Sequence, residues 1–392
     1  MDLGALLTPT GASFSPTSTS GNGGDIFINA TGDINVRGTS PTGALNFAIG
    51  VLAIYTRSVS TSNSSGSGGN ITINSSGGNF TSSSIGGITS SSSVTTTGNS
   101  GNGGNISITA QNVSTGGGIF ADSSTTTGNS GDGGRIAVTA TNGSINTNLI
   151  TSGSSVDTGN AGNAGAVEFR ATNGGINALA IAADTLSLVR GNSGIGGNIT
   201  LESTGDITLT GAISPMISPA YSAAGVISLT TVSYSVGGNT GRGGDIRITA
   251  QNVNARNITS HSHVLGRGNN GNAGNIHIST PTGSVTTDRI DTSMYTDIDS
   301  NFVNTGSNFG NSAGNIDIEA QDVRTGDVVA YASTSNLSGL MSPFLGSGNG
   351  GTINITATRG NINSQLIQSS SVSNFSSSGN GGNINLRALN GS

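Results

Sequence analysis

The chain has 392 residues, of which 65 are Gly and only 8 % are charged, with no Cys and no Trp. The formal net charge is −6, and all 13 basic residues are Arg, scattered singly, so no basic stripe exists to hold nucleic acid. Without Cys there is no disulfide framework and no thiolate metal site.

The first residues, Met1-Asp2-Leu3-Gly4-Ala5-Leu6-Leu7, have no basic region and too short an apolar run for a signal peptide. Residues 1–20 read as an irregular N-terminal segment. The most apolar stretch, Ala44 to Tyr55, falls short of the roughly 20 residues a membrane helix needs, so no membrane insertion is expected.

From residue 21 one motif recurs, Gly-x-Gly/Ala-Gly-x-Ile-x-Ile, first at Gly21 to Ile28 and then at Gly66 to Ile73. Copies follow at Gly101, Gly131, Gly162, Gly194, Gly241, Gly271, Asn311, Gly348 and Gly379, with a weaker one from Ser222 to Leu229. Their spacing averages about 32 residues, the period of stacked repeats. Within a copy such as Ile106-Ser107-Ile108-Thr109-Ala110, apolar side chains fall at every second position, which predicts a strand with one buried face. Shorter β-like patches follow, as at Gly32 to Val36, Gly205 to Leu209, Ile119-Phe120 and Leu366-Ile367.

One such unit cannot bury its own apolar face; stacking can. The fold predicted for residues 21–392 is therefore all-β, a single right-handed parallel β-helix of about 12 coils. In register, Ile26, Ile71, Ile106 and Ile136 form one interior ladder, and Ile28, Ile73, Ile108 and Val138 a second. Gly24, Gly69, Gly104 and Gly134 precede the strand, where the backbone needs either a positive φ or close approach to the next coil. Asn at 70, 105, 198, 275, 315 and 383 predicts an amide ladder along the axis. The last strand is followed only by Ala388 to Ser392, with no capping unit, so the chain is expected to be part of a longer protein or to associate with another copy through open coil ends.

The Gly-Asn-Gly-Gly-Asn-Ile-x-Ile-x-Ala pattern, with Ser/Thr-rich stretches such as Ser91 to Gly98 and Ser123 to Gly128, resembles large bacterial exoproteins of the filamentous-haemagglutinin type. It is particularly similar to their repeat-rich cyanobacterial relatives. The resemblance implies two-partner secretion, an extracellular or cell-surface location and an adhesive, non-enzymatic role toward surface glycans or other cell-surface molecules. The Asn-Pro-Asn-Gly type motif of that family's secretion domain is absent from this sequence.

Pectin-lyase-like polysaccharide-active enzymes share the predicted architecture, which makes carboxylates the residues to weigh. Asp288, Asp291, Asp297 and Asp299 cluster within Thr286 to Asn304, a stretch that reads mainly as a solvated insertion. His261, His263 and His277 read as exposed, without a carboxylate set for a metal. Gly-Gly-Asp at Asp25 and Asp245 lacks the nine-residue period of a calcium repeat, and no Lys is present for a phosphate loop. No cofactor is expected.

Three insertions interrupt the second half, Gly211 to Tyr221, Thr286 to Phe309 and Tyr331 to Leu345. They carry Met216, Tyr221, Met294, Tyr295, Met341 and Phe344, which are the candidate binding patch if the three leave the same corner of the rod.

Overall fold

The structure, a computed structural model, describes residues 2–3, 6–8 and 12–13 as backbone, and residues 19–36, 54–82, 87–211, 227–266, 268–298, 311–336, 346–374 and 377–390. Gly breaks most windows long enough for a helix, and in the Gly-free stretches such as 245–265 Ile, Val, Thr and Ser recur at strand spacing. All strands among the described residues accordingly belong to one sheet, and every pairing in it is parallel. Among the described residues no helix is long and apolar enough to cross a membrane.

One coil illustrates the path. The strands Ile106–Ala110, Val113–Thr115, Ile119–Phe120 and Ser123–Thr127 pair with Ile136–Ala140, Ile145–Asn146, Leu149–Thr151 and Ser154–Thr158 in the same order. Each strand thus stacks on its own counterpart one repeat later, the register of a solenoid.

The first predicted ladder runs from Ile26 through Ile71, Ile106, Ile136, Val167, Ile199, Ile246, Ile276, Ile316 and Ile353 to Ile384. Its members from Ile71 to Ile353 are 0–1 % exposed. At roughly 1.5–3 kcal/mol for each buried large aliphatic side chain, this column and the parallel one through Ile28 and Ile73 are the main apolar source of stability.

The weak copy at Ser222 to Leu229 is not a rung of this ladder. Ile199 pairs directly with Ile246, whereas Leu229, in the strand Ile227–Val236, pairs with Ile181 and Ile258 on another side of the coil. Its alternating apolar residues belong to a later strand of the coil, where the same period-two pattern holds. Strands also occur before residue 21: Asp2–Leu3, Leu6–Thr8 and Ala12–Ser13 pair with Ile34–Val36 and Ile54–Ser60. Nor does the stretch after Thr286 begin as a loop. Residues 286–291 complete the strand Ile276–Asp291, and Met294–Ile298 is a strand in its own right.

The corner glycines are explained by close approach. A Cβ on Gly69 would lie 2.3 Å from the carbonyl oxygen of Gly24, and one on Gly104 would lie 2.1 Å from that of Gly69. Positive φ occurs instead at another recurrent glycine, Gly98, Gly128, Gly159 and Gly191, each at the start of a Gly-Asn corner. The Asn ladder is present, with its donors on the backbone. The side-chain oxygens of Asn70, Asn105, Asn198 and Asn275 accept the backbone N–H of Asn105, Arg135, Asp245 and Asn315.

A third interior column is polar. The hydroxyls of Ser92, Ser123, Ser154, Thr185, Ser233 and Ser262 donate across the coil to the carbonyls of Gly66, Gly101, Gly131, Gly162, Gly194 and Gly241, at 2.7–2.9 Å. The Gly-rich corner therefore lies against a hydroxyl lining, and its buried carbonyls are satisfied.

Candidate functional site

Because Ser233 and Ser262 point inward, their strand neighbours point to the outer face. In the coil of inward Ser92 these outer positions carry Ser91 and Ser93, and in the coil before it Arg57 and Val59. Further along they become Val232 and Tyr234, then His261 and His263, then Ser293 and Tyr295. Val232, Tyr234, His261 and His263 are all buried despite facing outward.

The imidazoles meet carboxylates from the adjoining coil. His261 Nε2 lies 2.9 Å from Asp291 Oδ1, and His263 Nε2 lies 3.0 Å from Asp297 Oδ2. Arg289 donates to Asp291 Oδ2 through Nε at 2.9 Å and through an Nη at 2.7 Å, and the Ser293 hydroxyl donates to Oδ1. Asp297 also accepts from the Ser335 hydroxyl, one coil further on. Burial alone would push both carboxyls up. His261, Arg289 and Ser293 hold Asp291 well below the usual carboxylate range, and His263 and Ser335 lower Asp297. Burial and the nearby Asp291 carboxylate raise the Tyr295 phenol.

Aromatic rings tie the same coils together. Tyr234 meets His263 edge-on at 5.2 Å, His261 and His263 lie 5.5 and 5.7 Å from Tyr295, and Tyr295 lies 6.0 Å from Tyr331. Four successive coils are joined by this column.

A second pair of carboxylates occupies an earlier bend. Asp122 accepts the Gly153 N–H at 2.8 Å and the Thr151 hydroxyl at 2.6 Å. Asp184 accepts the Val232 N–H at 2.7 Å and the Thr230 hydroxyl at 3.2 Å. Burial raises both, and Asp184 is pushed up to about 7.

The residues singled out from the sequence fall out as follows. Asp291 and Asp297 are not in a solvated loop; they are paired side chains of the outer-face cluster, Asp291 being 2 % exposed. Asp288 is exposed in the strand Ile276–Asp291, and Asp299 lies outside the described residues. His261 and His263 are buried and paired rather than exposed, because outer-face positions in these coils are covered; His277 is the half-exposed one, 3.0 Å from Asp317. Met294 is buried at 2 %, aligned with inward-facing Ser262, and Tyr295 joins the cluster. Met216, Tyr221, Met341 and Phe344 lie outside the described residues. Asp122 and Asp184 carried no sequence signal beyond being isolated acids in Ser/Thr-rich surroundings.

Glycoside hydrolysis by a carboxyl pair requires one member that keeps its proton at the working pH. Asp291 and Asp297 are both shifted the other way, so this pair lacks the acid. Among the described residues no three His, Asp or Glu side chains are placed to hold a metal ion. No protein-family model, curated protein or solved structure matches the chain.

Proposed function

We propose that this chain is a non-enzymatic, adhesive rod segment of a large secreted or surface-exposed exoprotein of the filamentous-haemagglutinin type. The observation that carries the reading is the shared register of the eleven first-strand rungs among the described residues, in which each recurring residue stacks on its own counterpart. Residues used in stacking build length and surface, and they leave the repeat with no chemistry of its own. The lowering of Asp291 and Asp297, which keeps both carboxyls ionised, supports the same reading over a hydrolase that needs a protonated acid.

The finer architecture belongs to this proposal. Parallel strands joined by crossovers wind right-handed in nearly all proteins, so the coils form a right-handed β-helix. About twelve coils at roughly 4.8 Å each give a rod on the order of 55–60 Å long. Its partners are surface glycans or other cell-surface molecules, and its location is the cell surface.

Small-angle scattering and a bead assay test the reading. The expected result is a rod-like profile, retention of chain-coated beads on polysaccharide or cell surfaces, and no release of reducing ends from a polysaccharide panel. A compact profile, or release of reducing ends, overturns it.

A further inference from the structure

Asparagine followed by glycine is a chemically labile step in a protein, because glycine has no Cβ to keep its backbone nitrogen away from the asparagine Cγ. Four Asn-Gly-Gly triplets in this chain are followed by a further coil among the described residues, at Asn22, Asn102, Asn173 and Asn349. They share the same local sequence, so differences among them come from the fold.

Three of them are each clamped by a single residue of the next coil. Gly23, Gly103 and Gly350 donate their N–H to the carbonyls of Ser67, Asp132 and Asn380 at 2.8 Å. Asn22, Asn102 and Asn349 accept, through Oδ1, the N–H of the same three residues at 2.9 Å. Asn173 stands elsewhere, in the turn between the strands Val167–Ala171 and Ile176–Ala178. It is exposed and lies in the left-handed region, at φ 60°. Its Nδ2 donates to Asn142 Oδ1 at 3.0 Å, but among the described residues the Gly174 N–H has no acceptor and Asn173 Oδ1 has no donor.

We propose that Asn173 is a modification site, converted without an enzyme to aspartate and isoaspartate, while the three clamped asparagines persist. The Gly174 nitrogen gives up its proton to base and attacks Cγ of Asn173. A C–N bond forms, a five-membered succinimide closes, and the carboxamide nitrogen takes up a proton and leaves as ammonia. Water then opens the ring at either carbonyl, with no change of oxidation state. At a clamped triplet the same attack first requires the bonds to the next coil to open. The product exchanges a carboxamide for a carboxylate, so the donor to Asn142 is lost and this corner gains a negative charge. Isoaspartate also lengthens the backbone by one methylene, beside the Gly174 carbonyl that accepts the Gly205 N–H at 2.9 Å.

The test incubates the intact chain in mildly alkaline heavy-oxygen water, folded and in urea, and maps it by tandem mass spectrometry. Each conversion carries one heavy oxygen into its peptide. Trypsin, cutting after arginine, places Asn173 in peptide 171–190 and Asn102 in peptide 58–135. In the folded chain Asn173 is expected to convert at least about tenfold faster than Asn102, and in urea the two rates are expected to converge within about twofold. Circular dichroism through the incubation verifies the fold. Equal rates in the folded chain, no conversion at Asn173, or a difference that persists in urea each overturns the site.

Discussion

His261 and Asp291 approach to 2.9 Å from strands of adjoining coils, both side chains at 3 % exposure or less on the outer face of a solenoid. Removing one partner of such a buried pair leaves an uncompensated charge, which costs about 3–5 kcal/mol. Asp291→Asn is therefore expected to destabilise the segment around residues 253–298 by that order, read by hydrogen exchange. Because the Asp291 carboxyl is lowered in the folded chain, its contribution is present above the ordinary carboxylate range and fades as pH falls below about 4. The difference between wild type and variant should shrink in the same window; a difference independent of pH would exclude the carboxylate as its source.

Asp184 runs the opposite way. Its carboxyl is raised from 3.8 to about 7, so the folded chain binds a proton that the unfolded chain has released. Stability from this site falls as pH rises between about 4 and 7, by a total on the order of 4 kcal/mol, and is flat above that. Asp184→Asn keeps an acceptor for the Val232 N–H and should abolish the slope. Urea titrations at pH 4.5, 6 and 8 give the comparison.

Two glycines separate packing from mere flexibility. A Cβ at Gly104 would meet the Gly69 carbonyl at 2.1 Å, whereas one at Gly21 has nothing within 4 Å. Gly104→Ala should cost about 3 kcal/mol or more, and Gly21→Ala less than about 0.5 kcal/mol, in thermal unfolding.

The hydroxyl lining is tested at neighbouring serines. Ser123→Ala would remove the donor to the buried Gly101 carbonyl and the contact with the Ser100 hydroxyl, at a cost of about 1–3 kcal/mol. Ser124→Ala, on the opposite face of the same strand, should change stability by less than about 0.5 kcal/mol. Equal losses would mean that the interior hydroxyls do not carry the corner.

The Ile ladders and the corner glycines were legible because each recurs at one place in nearly every copy, and the Asn ladder because Asn holds its place in six of them. The hydroxyl column was hidden: Ser123 and Ser154 recur equally well, but serine reads as surface unless one knows which carbonyl it faces. The outer-face cluster was hidden for another reason. His263 and Asp297 stand 34 residues apart, and only the coil register brings Leu265 opposite Asp297 and His263 opposite Tyr295. That register was obscured where the repeat seemed to lapse after Thr286, although the strand continues to Asp291. The copy at Ser222 to Leu229 misled because alternation marks any strand of a coil, not the first alone.

In the Asn ladder, Asn105 reaches the backbone of a residue 30 positions later, while Asn198 reaches its counterpart 47 positions later, with the same bond. A coil is thus defined by where it touches its neighbour and not by how much chain it takes to return. Lengthening a connection costs little, about 0.6 kcal/mol per doubling of a flexible loop. A return between rungs can therefore lengthen, as between Asn198 and Asp245, while the rungs keep the same bond and the same register.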